Sequence, residues 1–181
     1  MRALRADDEA AFLEACRDST ALHHPWVSPP TDREGFAAYL ARESASFRLL
    51  LVRRREDDAL IGVFNLSQIV RGVFRSAYLG YYGFSATTGR GYMHEGMTLL
   101  VHHAFLTIGL HRIEANVRPE NRASIALVRR SGFEREGYSP NYLFLDGAWR
   151  DHERWAIRRE IWRPSEDVEV LAAPEEPASG P

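Results

Sequence analysis

The chain has 181 residues, of which 45% are hydrophobic and 27% charged, with a formal net charge of −2, the composition of a soluble globular protein with room for one sizeable core. All 23 basic residues are arginine, which excludes Schiff-base lysine chemistry, a nucleotide-binding P-loop lysine and a kinase-type lysine. A single cysteine, Cys16, rules out an internal disulfide; no apolar run approaches the roughly 20 residues that span a bilayer, and the opening M-R-A-L-R-A-D-D-E has no apolar signal core, so a cytoplasmic protein with no membrane partner is expected.

Residues 2–5 read as a short strand. Asp7–Arg17 reads as a helix capped by Asp7 or Asp8, with Ala11, Phe12 and Ala15 facing inward. The loop H-H-P-W-V-S-P-P (23–30) is broken by prolines. Thr31-Asp-Arg-Glu34 has the spacing of a capping box and opens a helix to about Ser44. Phe47–Arg54 and Ala59–Ser67 are strands joined by R-R-E-D-D (54–58), and an antiparallel strand, rich in aromatics, follows over 76–84.

The stretch Thr87–Leu106 organises the rest of the chain. Gly89-Arg90-Gly91 is a glycine turn, and Met93, Met97, Leu100, Val101, Ala104, Phe105 and Ile108 recur at helical spacing behind it. Strand, glycine turn and helix in that order aim free backbone amides and a positive helix end at one point, which is an anion site. The third glycine and acidic residue of a dinucleotide fold are missing.

Gly109 is placed to end this helix. His111–Val117 alternates as a strand; Arg122–Arg130 is a helix opened by Pro119 and Asn121 and stopped by Gly132. Phe133–Tyr138 with Tyr142–Leu145, the turn Asp146-Gly147 and Trp149–Arg158 form a closing hairpin. Residues 164–181, rich in Pro, Glu, Ala and Ser, read as an acidic disordered tail. Without it, 23 arginines face 20 carboxylates over 1–163, too weak a surplus to predict a nucleic-acid partner. The histidine pairs 23–24 and 102–103 lack metal-ligand spacing and spaced partners, so no metal is expected.

Five segments carry a likeness: G-Y-Y-G-F (80–84), G-R-G-Y-M-H-E-G (89–96), H-R-I-E-A-N-V (111–117), P-E-N-R-A-S-I-A-L-V-R-R-S-G-F (119–133) and D-G-A-W-R-D-H (146–152). In this order the chain resembles the GNAT superfamily of acyl-CoA-dependent N-acetyltransferases, and within it the ribosomal-protein N-acetyltransferases of the RimJ/RimL type. The resemblance implies an α/β (α+β) GNAT-like fold over 1–163: a mixed, mostly antiparallel twisted sheet, flanked by helices and splayed at the cofactor cleft. It implies acetyl-CoA as donor, its pyrophosphate on the backbone of Thr88, Gly89, Arg90, Gly91, Tyr92 and Met93. It places the pantetheine arm along Tyr82, Gly83 and Phe84, with Asn121 bonding the arm and Ser124 near the sulfur. Thr88 stands where relatives carry Gln or Arg, and Gly83-Phe84 replaces a more usual aliphatic–acidic pair.

Acetyl transfer needs a neutral amine, a donor for the oxygen that becomes negative and a proton for the departing thiolate. An amide at the end of the 80–84 strand suits the second need and Ser124 the third. Glu114, on the 111–117 strand, is the candidate base, acting through water. Trp26 and Tyr142 are candidate walls of the acceptor groove, with Trp149 beside them. An α-amine with a pKa near 8 needs less help than a lysine near 10.4, which favours a protein N-terminus as acceptor. A small amine (an antibiotic, polyamine or amino acid) and a non-catalytic acyl-CoA-binding module are the competing readings, and the resemblance leaves both monomer and homodimer open.

Overall fold

Among the described residues seven strands form one sheet in the order β1-β2-β3-β4-β5-β7-β6, and helices cover both of its faces, which is why the central strands are apolar on both sides rather than alternating. The computed structural model describes residues 1–164; the reading of a disordered tail therefore falls, from residue 165 on, outside the described residues. The strands are β1 (Arg2–Ala3), β2 (Arg48–Arg53), β3 (Leu60–Val70), β4 (Ser76–Gly83), β5 (Arg112–Val117), β6 (Glu134–Leu145) and β7 (Ala148–Arg158). The helices are α1 (Glu9–Asp18), α2 (Thr20–His23), α3 (Arg33–Leu40), α4 (Tyr92–His102) and α5 (Arg122–Arg130).

Two cores lie on opposite faces of the sheet. On one, α1 and α3 bring Phe12, Leu13, Cys16 and Phe36 against Leu49, Leu51, Val63, Tyr82 and Phe84. On the other, Met97, Leu100, Val101, Ala104 and Phe105 of α4 and its continuation pack on Phe64, Leu66, Leu79, Ile113 and Trp155. Residues two apart on β4 share a face, so Tyr82 belongs to the first core and Tyr81, packed against Phe64, to the second. The α4 stripe is the one predicted, and the helix finishes in a π-helical turn over His103–Thr107 before Gly109, at φ 78.

All strands pair antiparallel except β4 with β5, which run parallel through the α4 crossover. That parallel ladder holds only Ser76 opposite Arg112, Ala77 opposite Ile113 and Tyr78 opposite Glu114. Beyond it β4 stays with β3 as far as Gly83, while β5 stays with β7 as far as Val117. The sheet therefore splays in its middle, between the second half of β4 and the second half of β5.

Three local expectations are corrected. Asp8 does not cap α1: its carboxylate is 2% exposed, accepts from the Arg5 amide at 2.9 Å and is gripped by Arg2 and Arg53. The inward stripe of α1 is Phe12, Leu13 and Cys16, while Ala11 is exposed and Ala15 half-buried. The cap of α3 is Asp32, whose Oδ1 accepts from the Gly35 amide at 2.7 Å, so the Thr31–Glu34 box does not form. Asp32 stands at the N-cap itself, one residue nearer the helix than Thr31, and takes the amide that a capping side chain uses.

Candidate active site

The splay opens into a cleft of about 880 Å³ that passes from one face of the sheet to the other. Its floor is β4, and the ladder alternation determines which backbone groups face it. The Phe84 amide donates to Ile61 at 3.1 Å, opposite in register. In an antiparallel pair such bonding recurs at every second residue, so Tyr82 and Gly80 also turn their backbone to β3. Tyr81 and Gly83 turn theirs the other way, into the gap where β5 has left. The Gly83 carbonyl is taken by His23 Nε2 at 2.8 Å. What remains is an unpaired stretch of strand edge, suited to an extended amide-bearing chain.

At the end of that edge lies the glycine turn. Gly89 and Gly91 have φ of 79 and 86, and a Cβ at either would meet nothing within 4 Å. The glycines are therefore required by backbone conformation rather than by crowding. Among the described residues no carbonyl or side chain accepts from the amides of Gly89, Arg90 or Gly91. The first amides of α4 have no intrahelical acceptor, and Gly91 offers no side-chain cap. These groups form a positive nest at a helix start. Thr88 contributes less: its amide donates to Ser85 and its hydroxyl to the Phe84 carbonyl.

On the α4 side of the cleft, Ser124 and Tyr81 meet. The Ser124 hydroxyl and the Tyr81 phenol are 2.5 Å apart. Burial pushes the phenol up to about 12, against the opposing pull of the Ser124 hydrogen bond, so it keeps its proton at neutral pH. Asn121 caps α5 by accepting from the Ser124 amide at 3.1 Å and so fixes Ser124 at the helix start. His94 bridges α4 to α5 through Ser131 at 3.0 Å, and burial with nearby Arg130 holds it below the ordinary histidine range.

The other face of the cleft is walled by Leu22, His23, Trp26 and Val27 from α2 and its loop, and by Tyr78, Asn116, Arg118, Tyr142 and His152. Among the described residues no aspartate or glutamate lines the cleft on either face. His23 is 4% exposed and His152 2%. Burial lowers the pKa of both below the ordinary value, outweighing the hydrogen bonds to the Gly83 and Arg150 carbonyls, and leaves both rings neutral. Among the described residues no group of three or more His, Cys, Asp or Glu side chains stands close enough to hold a metal, and no helix is long and apolar enough to cross a membrane.

Of the residues that the sequence points to, Trp26, Tyr82, Gly83, Thr88, Gly89, Gly91, Tyr92, Met93, Asn121, Ser124 and Tyr142 line this one cleft. Arg90 is exposed beside it, and Trp149 packs on Phe144 at the hairpin tip. Phe84 is 2% exposed, with its ring in the α1 core, so its side chain is not on the cleft. Glu114 is also elsewhere. Arg112, which grips Glu136 as well, holds its carboxylate at 2.9 Å, and it does not line the cleft. Its carboxylate belongs to that ion-pair network. Sequence reasoning misses Tyr81, His23, Asn116 and Arg118 as site residues. Strand parity signals Tyr81; the other three become visible only when distant segments meet.

A model of the acetyltransferase (GNAT) domain family matches residues 1–134, and the chain belongs to that family. Ribosomal protein uS5-alanine N-acetyltransferase of Escherichia coli K12 is 42% identical over 109 residues, covering 60% of this chain and 56% of that protein. The chain thus spans about half the length of the curated relatives it matches. RimJ of Mycobacterium smegmatis, solved in complex with CoA-disulfide, aligns with a TM-score of 0.79 at 31% identity, over 88% of this chain and 81% of that one. Spermidine N-acetyltransferase from Vibrio cholerae, solved with CoA and spermine, aligns with a TM-score of 0.75 at 21% identity, over 88% and 95%, and shares the fold.

Proposed function

We propose that this chain transfers an acetyl group from acetyl-CoA to the α-amine of a protein N-terminus. The observation that carries the reading is the split cleft: an anion nest and free strand edge on one side, a carboxylate-free aromatic wall on the other. A donor with a pyrophosphate, two amides and a thioester fits the first part. The positive-φ glycines leave space beside the turn, and Tyr81 and Gly83 leave a strand edge unpaired. When bound, acetyl-CoA supplies an activated acyl carbon with a thiolate leaving group.

The chain's own residues supply the rest. An amide of the Tyr81–Gly83 edge donates to the acyl oxygen as it gains charge. As the C–S bond breaks, Ser124 gives its proton to the departing sulfur and takes one from the Tyr81 phenol; the proton that the amine sheds on forming the amide passes through solvent and restores the phenol, whose raised pKa favours the protonated form. The acceptor enters from the α2 face. An α-amine with a pKa near 8 is appreciably neutral at pH 7 and needs no dedicated strong base, which agrees with a wall of neutral imidazoles and no carboxylate. A polyamine would carry several positive charges into a cleft that no aspartate or glutamate lines, past Arg118, which already holds the Glu120 carboxylate. The name of the Escherichia coli relative supports the acceptor, and the CoA-disulfide bound to the Mycobacterium smegmatis one supports the donor.

The test is thiol release from acetyl-CoA with a panel of acceptors: peptides with free N-termini, the same peptides N-blocked with an internal lysine, and spermidine. Free N-terminal peptides should be turned over and the other two should not. Turnover of spermidine alone would refute the acceptor. Loss of turnover on every amine, with an acetyl-CoA thermal shift retained, would instead identify a binding module.

A further inference from the structure

Among the described residues the β4–β5 ladder ends at Tyr78 and Glu114. Gly83, at the end of β4, and Arg118, just past β5, therefore stand on separate lips of the opening. The turn 23–27 runs between them on the acceptor side, and a side chain ties it to each lip.

The turn is built on His23. Its carbonyl accepts the amide of Trp26 at 2.7 Å and that of Val27 at 3.0 Å, so these two wall residues follow wherever His23 is held. The ring does the holding. Its Nε2 donates to the Gly83 carbonyl at 2.8 Å, and it packs edge-on against Tyr82 at 5.2 Å and Phe84 at 6.3 Å. A neutral imidazole has one N–H, and this one is spent on the donor strand.

The other lip takes the same turn from across the opening. Arg118 Nη1 donates to the Pro25 carbonyl at 3.4 Å, and the guanidinium lies 5.1 Å over the Trp26 ring. Its Nε pairs with the Glu120 carboxylate at 3.4 Å, which leaves Nη1 and the flat face of the group to the turn. A planar guanidinium can donate along its edge and stack on an aromatic ring at once.

We propose that His23 and Arg118 are positioning residues that clasp the turn 23–27 to both lips of the splay, and so fix Trp26 and Val27 as the wall against which the acceptor amine is presented. Both act through Trp26 and Val27 rather than on the reacting atoms. The inference rests on the α2 face being the acceptor side, as proposed above, and not on which amine enters there.

The first readout needs no acceptor. Chymotrypsin acting on the native chain, with the cut between Trp26 and Val27 followed by mass spectrometry, reports how often the turn opens, because cleavage tracks the population of the open form. His23→Phe keeps a ring beside Tyr82 and Phe84 but has no donor; Arg118→Met keeps the stem but loses the bond and the charge over Trp26. Each should be cut about fivefold faster at this bond, one hydrogen bond's worth. His23→Gln, whose amide nitrogen takes the place of Nε2, should return most of that loss. The second readout is steady-state thiol release with an alanine-initiated peptide and with spermidine. In His23→Phe and Arg118→Met the acceptor KM should rise by a similar factor, with kcat within about twofold and the KM for acetyl-CoA unchanged, a split that a general loss of stability would not give. Cutting at the wild-type rate in both variants would overturn the clasp, whichever amine is the acceptor. Faster cutting with an unchanged acceptor KM would overturn the role of the turn as acceptor wall. Wild type that turns over spermidine alone would refute the N-terminal acceptor without touching the clasp; wild type that turns over neither amine would overturn the wall along with it.

Discussion

Gly91→Ala isolates the role of the glycine turn. Gly91 has φ 86 and ψ −14 immediately before α4, and a Cβ there meets nothing within 4 Å. The substitution therefore adds no clash, only the cost of holding an L-residue in the left-handed region, about 1–2 kcal/mol. For a chain of this size 1 kcal/mol moves Tm by roughly 2–4 °C, so a turn that keeps its shape should melt roughly 2–8 °C lower. Gly91→Asn should lose less, because asparagine tolerates this region better. Ligand gives the second readout: acetyl-CoA at about 100 times its Kd stabilises by about 2.7 kcal/mol, an upward shift of roughly 5–11 °C. If the alanine chain instead relaxes to negative φ, Tm is spared but the amides swing away and the acetyl-CoA shift collapses. Differential scanning fluorimetry with and without acetyl-CoA separates the cases. An alanine variant with both wild-type Tm and wild-type shift would refute the claim that this turn needs positive φ to hold the donor.

Tyr81→Phe keeps the packing on Phe64 but removes the phenol 2.5 Å from Ser124; kcat should drop about a hundredfold with little change in the KM for acetyl-CoA, read by steady-state thiol release. Glu114→Gln should keep kcat within about twofold, because that carboxylate is engaged by Arg112 and does not line the cleft; a loss approaching a hundredfold would return it to the proton path. Gly62→Ala places a Cβ 2.5 Å from Met93 Sδ and 2.6 Å from the Tyr82 carbonyl, and urea melts should show a loss of about 1–3 kcal/mol. At Asp8, burial alone raises the carboxyl pKa, but hydrogen bonds from Arg2, the Arg5 amide and Arg53 outweigh it and the net shift is downward. A depressed folded value means that stability is fully present above the unfolded pKa of 3.8 and is lost as pH falls through the folded one. Asp8→Asn should cost about 3 kcal/mol at neutral pH and flatten the stability profile between about pH 5 and pH 2; an unchanged acid limb in urea melts would remove Asp8 from that account.

Local features are readable where local chemistry suffices. Gly89 and Gly91 before a helical apolar stripe, Gly109 behind it and Asp146-Gly147 between alternating runs each announce a backbone event that few other residues permit. Capping at Asp8 and Thr31 is not readable in this way, because a cap depends on which side chain wins a given amide. At Asp8 two arginines from elsewhere in the chain compete for the same oxygens. Glu114 faces away from the apolar side of its strand, as its position implies, yet its neighbour Arg112 occupies it; strand parity locates a carboxylate without telling what holds it.

The order of elements, the anion nest, the absence of lysine chemistry and the Asn121–Ser124 helix start were determined by the sequence alone, because each depends on residues within one turn or one strand. Only the tertiary structure decided where the sheet splays, which of two adjacent tyrosines meets Ser124, and that Arg118 reaches the Pro25 carbonyl and the Trp26 ring. Those depend on register and on contacts between segments far apart in the chain, and no local pattern encodes the distance between two such side chains.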